Sequence, residues 1–455
     1  ACQSTPQKID APLTVMLDRE AYPDVRRAAA AQAAADLPDD ESRLAALEIL
    51  LTQPGHGRLW QQYALDELAA ADEDRTITIL AAHLHTFSSW DTVSHALDLA
   101  VTHDWPALIP AIVRRYAAES RRYPDVDRPE RAALQTLAPN RTVEEIAFAV
   151  FTDADQDDIR ERAAAFTLYA RLIDDHDQTI AELTTLETTN DTLVLDLQAA
   201  AAELNIIPNN LETLTWLRLL RTGLLGNLWQ VAAPLIADFT PAQRQGLALR
   251  HLPILAYTAR TEPAVLAHTQ KQLYTQLQTH LASADTHGLG STVDALADHP
   301  QQLAAYRDQL AWADLLTLRL ITQMMADRTI VDQWFAQADA DHADTTTELG
   351  GLILPNQNLS ITPVLYEPSV RRHPKAYYAP PELIFDGYTA LAHYHFHAQE
   401  HNNRRYAGPG DGDLQRIGDR HQFNGLVLTF IDRNRLNVDY YQTGRIVVDL
   451  GTIHR

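Results

Sequence analysis

Residues 390–401 read ALAHYHFHAQEH and place four histidines within nine positions near the end of the chain. Successive side chains of a β-strand alternate between its faces, so a strand here directs His393, His395 and His397 to one side, with neighbours about 6–7 Å apart. Two imidazoles at that spacing can share one ion. The apolar run before the histidines favours a buried central strand, where imidazoles without a partner are costly. This stretch therefore indicates a buried strand that could carry a metal site; satisfied polar residues at a strand end, or a pH-sensitive surface, are the alternative.

Strand-like sequences surround this stretch throughout residues 341–455. They read LGGLILP, LSITPVLY, ELIFDGYTALAHYHFHA, NGLVLTFID, RLNVDYY and GRIVVDLG. The turn sequences DRNR and QTGR lie between the last three and indicate hairpins. We therefore predict an α+β domain with a mixed or antiparallel sheet over residues 341–455. Its boundary is expected between residues 335 and 347, where the polar stretch FAQADADHADTTTE begins and the pattern changes.

The preceding part of the chain, residues 21–340, has helical periodicity. In DESRLAALEILLTQ, the residues Leu44, Leu47 and Leu51 recur at helical spacing behind an acidic start. Thr240 followed by Pro241 is typical of the first residues of a helix. A long series of helices with short links is most simply buried as stacked pairs, which predicts an all-α helical-repeat solenoid.

Composition limits the partners that the chain can have. Its 455 residues exceed what one core usually supports, and the formal net charge is −23. Such a charge gives a nucleic-acid backbone or anionic lipid headgroups no surface on which to bind, so we expect neither as a partner. No apolar run approaches the roughly 20 residues of a membrane-spanning helix.

The sequence begins ACQSTPQKIDAP and contains one cysteine, Cys2. A single cysteine allows neither an intrachain disulfide nor a cysteine-based zinc cluster. Cysteine after a small residue is similar to the cleavage point of a bacterial lipoprotein signal. This predicts a lipid on Cys2, a flexible tether over residues 1–20, and a place in the bacterial cell envelope, either periplasmic or anchored to the outer membrane. An ordinary surface cysteine is the alternative.

Carboxylates flank the histidine strand in the sequence. Hydrolytic zinc sites use three protein ligands and keep a fourth position for water, with a separate carboxylate to move protons. Upstream, Glu348 begins the apolar run TELGGLILPN, and downstream Asp411 and Asp413 lie in the loop GPGDGDLQRIG, just before a predicted helix. A metal site built from histidine and carboxylate side chains is therefore expected.

Together these segments resemble the JAMM (also called MPN or JAB) metalloprotease family, in which E-x-x-G-L-L precedes H-x-H-P and then S-x-x-D. The resemblance covers about the last 110 residues. It implies Glu348 as the catalytic glutamate, from ELGGLI, and His395 and His397 as zinc ligands, from HFHA. Asp413 is implied as the third ligand, from PGDGDL. Two alternative ligands remain open: His393, on the same strand face as the other two, and Asp411, in the same loop.

Three departures from the family pattern are present. Ala398 replaces the proline, Gly410 replaces the serine, and the gap between His397 and Asp413 is longer. The family's serine hydroxyl helps to bind the oxyanion, and one such donor changes the rate by roughly 10²–10³. The missing serine therefore weakens the prediction of activity more than the prediction of fold.

The helical part carries a second resemblance. Four segments look like the second helix of HEAT-type repeats: PDVRRAAAAQAA from Pro23, DESRLAALEIL from Asp40, DRPERAALQTL from Asp127 and DIRERAAAFTLYARL from Asp158. The two resemblances imply a zinc-dependent peptidase or isopeptidase whose helices bind a protein or peptide. The alternative is a non-catalytic envelope scaffold, in which the solenoid binds a partner and the C-terminal domain is a silent or metal-binding recognition module.

Overall fold

The computed structural model describes residues 8–38, 40–118, 120, 123–153, 159–187, 190–286 and 300–455. The predicted lipidation site, Cys2, lies outside these residues. Contacts divide the chain into two compact units, Ala1–Asp174 and Asp175–Arg455. Among the described residues, no helix combines the length and the apolar character that crossing a bilayer requires.

The described part of the first unit is helical. Its helices are α1 (Pro12–Leu17), α2 (Pro23–Asp36), α3 (Glu41–Thr52), α4 (Arg58–Ala71), α5 (Glu73–His83), α6 (Trp90–Thr102), α7 (Ile109–Ala117), α8 (Pro129–Leu137), α9 (Val143–Thr152) and α10 (Ile159–Ile173). The predicted helix start is confirmed at α3, where the Asp40 side chain accepts a hydrogen bond from the backbone N–H of Ser42 at 2.8 Å. Leu44, Leu47 and Leu51 are buried as the spacing predicts.

Part of the stretch for which a tether is predicted is helical. Residues 12–17 form helix α1, and Met16 of this helix is buried. The Arg26 guanidinium donates two hydrogen bonds to the Met16 carbonyl, at 2.8 and 3.0 Å. Burial of Met16 and these bonds hold this segment against α2, which its polar composition did not suggest.

The second unit combines helices with a sheet. Its helices are α11 (His176–Thr185), α12 (Thr192–Ala199), α13 (Leu211–Arg221), α14 (Leu228–Ala237), α15 (Pro241–Arg244), α16 (Leu252–Thr261), α17 (Gln270–Ala282), α18 (Trp312–Ala326), α19 (Arg328–Ala343), α20 (Pro381–Gly387) and α21 (Asp411–Asp413), which continues into a π-helix (Leu414–His421). Thr240 and Pro241 begin α15 as predicted. The change from helix to strand after Ala343 lies inside this unit.

A six-stranded mixed sheet forms the end of the chain. Its strands are β1 (Gly350–Pro355), β2 (Ile361–Tyr366), β3 (Ala392–His397), β4 (Gly425–Asp432), β5 (Arg435–Gln442) and β6 (Ile446–His454), in the order β2-β1-β3-β4-β5-β6. Only the pairing of β3 with β4 is parallel. The α+β layout and the central position of the histidine strand are therefore as predicted.

The strand expected from Glu382 onward is shorter than predicted. Residues 381–387 form α20, and β3 begins only at Ala392. Pro381 occupies the first turn of the helix and Glu382 follows it, a combination that favours a helix start over a strand. The consecutive apolar residues Leu383, Ile384 and Phe385 had suggested a longer strand.

A buried polar network joins the helices of the second unit to the sheet. Asp314 on α18 accepts hydrogen bonds from Arg250 at 2.8 Å and from His251 at 2.9 Å. Asn424, next to β4, donates to the backbone carbonyl of Arg250 at 3.3 Å and accepts from the Tyr440 hydroxyl at 3.0 Å. These contacts make helices and strands parts of one core.

Candidate metal centre

The sheet places the histidines of β3 beside the glutamate that precedes β1. Gly350 pairs with His395 in the antiparallel register of β1 and β3. The pairing continues beyond β1, because the Leu349 carbonyl accepts a hydrogen bond from the Phe396 N–H at 3.0 Å. The same register brings Glu348 opposite His397. A local strand pairing thus joins two predicted site residues that are 49 positions apart.

Glu348, His395 and His397 converge. One ligand atom of each lies within 4.8 Å of the other two, so this buried group can hold a metal ion. Glu348 and His395 are 6% and 2% exposed, whereas His397 is partly exposed. The Nε2 atom of His395 has no hydrogen-bond partner among the described residues. A buried nitrogen without a partner is costly, and a bound cation would satisfy it.

Asp413 approaches the same histidine from the loop before the π-helix. Its Oδ2 atom lies 3.4 Å from the His395 Nε2 atom and accepts a hydrogen bond from the Gly410 N–H at 2.7 Å. Asp411, the alternative ligand, instead forms an ion pair with Arg445 at 2.6 Å. Asp413 is therefore the aspartate of this loop that the structure places at the histidines.

The remaining ring nitrogen of His397 is fixed by the backbone. Its Nδ1 atom lies 2.6 Å from the Tyr406 carbonyl, which can only accept, so Nδ1 carries the proton and Nε2 is left as a free acceptor. This is the arrangement by which proteins orient a metal-binding imidazole. Asn403 donates to the His397 carbonyl at 3.1 Å and supports the same turn of chain.

His393, the alternative histidine, lies deeper in the sheet. It is 2% exposed, and neither ring nitrogen has a hydrogen-bond partner among the described residues. Its ring centroid is 6.0 Å from that of His395. Burial, reinforced by the neighbouring His395, lowers the pKa of His393 to about 3, so it is neutral at physiological pH. His393 is not a member of the converging group.

Opposing effects set the protonation of the other two histidines. Burial lowers the pKa of His395, but Asp413 and Glu348 outweigh it and raise that pKa to about 8. Burial lowers the pKa of His397 to about 4, with a further contribution from His395. Burial raises the pKa of Asp413, yet the adjacent His395 and His397 hold it well below its ordinary value. Asp413 is therefore a carboxylate at neutral pH.

Two residues that the sequence did not predict complete the surroundings of Glu348. The side-chain amide of Gln399 donates to Glu348 Oε1 at 3.2 Å and lies 3.4 Å from Asp341 Oδ2. Asp341, on α19, also accepts from the backbone N–H groups of Leu349 at 2.5 Å and Ala398 at 3.2 Å. Burial is the main cause that raises the pKa of Glu348 to about 8 and that of Asp341 to about 7.

The contact with Asp341 gives a physical reason for alanine at position 398. Ala398 directly follows the histidine strand, and its N–H donates to the buried Asp341 carboxylate. Proline has no N–H and could not make this bond. Asp341 carried no signal in the sequence, because it lies in a polar stretch whose role depends on the packing of α19.

The converging residues open into a cavity of about 700 Å³. Tyr377, Tyr378 and Ile384 line it, together with residues 407–410. His421, which lacked a specific role in the sequence, also lines it and lies 3.0 Å from Glu212. A cavity of this size with polar groups at buried positions is typical of a binding site for a small molecule or a peptide.

Gly410 leaves space for a side chain next to Asp413. Its backbone has φ −79° and ψ 171°, a conformation open to every residue type. A Cβ atom added here would first meet Asp413 Oδ2, at 3.4 Å, which is an ordinary contact distance. The backbone therefore does not require glycine at this position.

Comparison of the chain with protein-family models, with curated proteins and with solved structures finds no match in any of the three. The likeness to the JAMM family therefore rests on the residues quoted above and on their order along the chain.

Proposed function

We propose that this chain is a zinc-dependent peptidase or isopeptidase whose C-terminal sheet is a JAMM-like domain. The observation that carries the proposal is the convergence of Glu348, His395 and His397 within 4.8 Å, with Asp413 3.4 Å from the second of them. Histidine nitrogens and carboxylate oxygens in this number are the donor set of hydrolytic zinc sites. Their position beside a cavity leaves room for a peptide.

The residues present fit zinc. His395, His397 and Asp413 would hold it, because the first has an unpartnered buried nitrogen, the second a free Nε2 atom and the third a carboxylate. Zinc supplies a Lewis acid that makes water a nucleophile near neutral pH. The Tyr406 carbonyl and the Gly410 N–H fix the orientation of His397 and of Asp413 respectively.

Glu348 is assigned the proton transfers. Hydrolysis adds water across the amide: hydroxide bonds to the carbonyl carbon, the C–N bond breaks, and the amine leaves with the proton taken from water. The Glu348 carboxylate accepts that proton and delivers it to the amine. Gln399 donates to one oxygen of this carboxylate at 3.2 Å and leaves the other oxygen available for the proton.

A second candidate function is favoured by Gly410, which supplies no hydroxyl to an oxyanion. In this case the domain is a silent or metal-binding recognition module, and the chain acts as a scaffold. In both cases we propose that the helices preceding the sheet form HEAT-like repeats and bind a protein or peptide partner.

Glu348→Gln separates the two functions. If Glu348 is the base, the zinc-loaded variant keeps its metal and loses cleavage of a mixed peptide library followed by mass spectrometry. Loss of a general base costs about 10²–10⁴ in rate. Glu400→Gln is the matched control, since Glu400 is an exposed glutamate in the segment that follows His397. Cleavage by Glu348→Gln at the wild-type rate rejects Glu348 as the base, and a zinc-loaded wild type that cleaves no peptide rejects the enzyme and favours the recognition module.

A further inference from the structure

The exposed charged side chains that line the cavity are positive, whereas the net charge of the chain is negative. The net charge of the chain is −23. Lys375, Arg416 and Arg420 line the cavity and are exposed. The acidic residues in the lining are Glu348 and Asp413, which belong to the proposed zinc site. A substrate entering this cavity therefore meets cationic side chains before it reaches the proposed zinc site.

Arg416 and Arg420 form a pair on the π-helix that follows Asp413. A π-helix has slightly more than four residues per turn, so positions four apart lie on the same side. Both side chains line the cavity, and neither forms an ion pair with another residue in the described part of the chain. Like charges at this spacing repel each other and destabilise a helix. An anion between them would relieve the repulsion.

Glu212, an acidic group that acts on Arg420, already has two other partners. It is hydrogen-bonded by the Tyr388 hydroxyl and lies 3.0 Å from the His421 Nδ1 atom. Burial raises the pKa of Glu212, but His421 and Tyr388 outweigh it and lower that pKa, and Arg420 contributes less than either. The guanidinium groups of Arg416 and Arg420 therefore have N–H donors available to a ligand.

Lys375 supplies the third positive charge from a different segment. Its Nζ atom donates to the Tyr406 hydroxyl at 3.0 Å and lies 4.5 Å from the centre of the same ring. The backbone carbonyl of Tyr406 also orients His397. The ammonium group is thereby held beside the segment that supports the proposed zinc site, with no carboxylate to neutralise it among the described residues.

We propose that the substrate is an acidic peptide, whose carboxylates are bound by Arg416 and Arg420, with Lys375 as a further cation. The inference rests on the proposed function, because it names the substrate class of the same cavity. Guanidinium binds carboxylate through paired hydrogen bonds, which gives orientation as well as affinity. Clefts that carry one charge also concentrate ligands of the opposite charge, so the cationic side chains of the lining favour binding of such peptides in the cavity over the acidic remainder of the surface.

The test measures binding, not turnover. Zinc-loaded Glu348→Gln protein is titrated with dansyl-labelled alanine hexapeptides that carry two central glutamates or two central glutamines. We expect the glutamate peptide to bind at least about tenfold more tightly, since hydrogen bonds between charged groups are stronger than those to neutral amides. The preference should disappear in R416Q/R420Q and should weaken as the salt concentration rises. R416E/R420E should instead prefer the corresponding lysine peptide.

R433Q is the matched control, because Arg433 is exposed in the same unit and does not line the cavity. It should keep the preference. Equal affinity of the parent protein for the two peptides overturns the proposal, as does a preference that survives R416Q/R420Q or that is lost in R433Q. Displacement of both peptides by inorganic phosphate, with no preference between them, also overturns it. Absence of zinc or cleavage, with the peptide preference intact, rejects the proposed function alone.

Discussion

The two histidines proposed as zinc ligands differ in the contacts that orient their rings. His397 is oriented by a backbone carbonyl, which no side-chain substitution removes, whereas the Nε2 atom of His395 faces Asp413 and has no other partner. Alternation along a strand predicts that both residues share a face with His393. It does not predict which ring nitrogens are free, because that depends on the loop at Tyr406. The convergence of Glu348 with His395 and His397 could be predicted from the sequence, but the orientation of the imidazole rings could not.

The first prediction concerns Gly410→Ser. The backbone angles suit serine, and the added Cβ has room beside Asp413. If the site hydrolyses amides, the new hydroxyl should act as an oxyanion donor and raise kcat by about 10²-fold, close to the usual contribution of one such donor. Initial rates of peptide cleavage measure the gain, and the melting temperature should be unchanged.

Gly412→Ser is the control for this gain. Gly412 also lines the cavity, and a Cβ atom there would meet no atom within 4 Å. It should leave kcat unchanged. Equal rates for wild type and Gly410→Ser would show that this position is not next to the oxyanion.

At the level of elements, the network around Asp314 fixes α18 to the sheet. Asp314, Arg250 and His251 are all buried. Burial raises the pKa of Asp314, but Arg250 and His251 outweigh it and hold that pKa well below its ordinary value. Removing one charge from a buried pair leaves the other without compensation. The second prediction is therefore that Asp314→Asn lowers the free energy of unfolding by about 3–5 kcal/mol, measured by urea denaturation near neutral pH.

This effect should depend on pH with a definite sign. A carboxyl group whose folded pKa is depressed stabilises the fold above its unfolded pKa, about 3.9, and the contribution is lost as the pH falls below that value. The difference between wild type and Asp314→Asn should therefore shrink as the pH drops below about 4. Asp332→Asn, which removes an exposed pair with Arg328, should change stability by less than about 1 kcal/mol. A difference that grows in acid would contradict the assignment.

Local signals predicted most elements, and tertiary contacts account for the errors. The capping residues Asp40 and Thr240 mark helix starts correctly, because a cap is a local interaction. Helix α20 was missed because its apolar residues also fit an extended strand. Asp341 and Gln399 were missed because the hydrogen bonds that they make around Glu348 form only when α19 packs beside the start of β1.

For the whole molecule, the important division is between residues 1–174 and 175–455. The sequence changes pattern near residue 340, but Asn210, Arg250 and Gln337 each form a hydrogen bond with a residue of the segment 341–455.

The third prediction is that residues 175–455 alone fold cooperatively and bind zinc, whereas residues 341–455 alone do not. Circular dichroism melting and zinc titration of both fragments measure this. A stable, zinc-binding fragment 341–455 would show that these helices are dispensable.

The central claim is that His395, His397 and Asp413 hold one zinc ion, and zinc binding measured directly tests it. The chain is stripped with a chelator, reloaded with excess zinc, dialysed and analysed by inductively coupled plasma mass spectrometry. The expected result is about one zinc per chain in the wild type, as one such site holds one ion. The double variant His395→Asn/His397→Asn, with its melting temperature checked, should retain almost none. A wild type without zinc, or a double variant that binds as much as the wild type, would contradict the assignment.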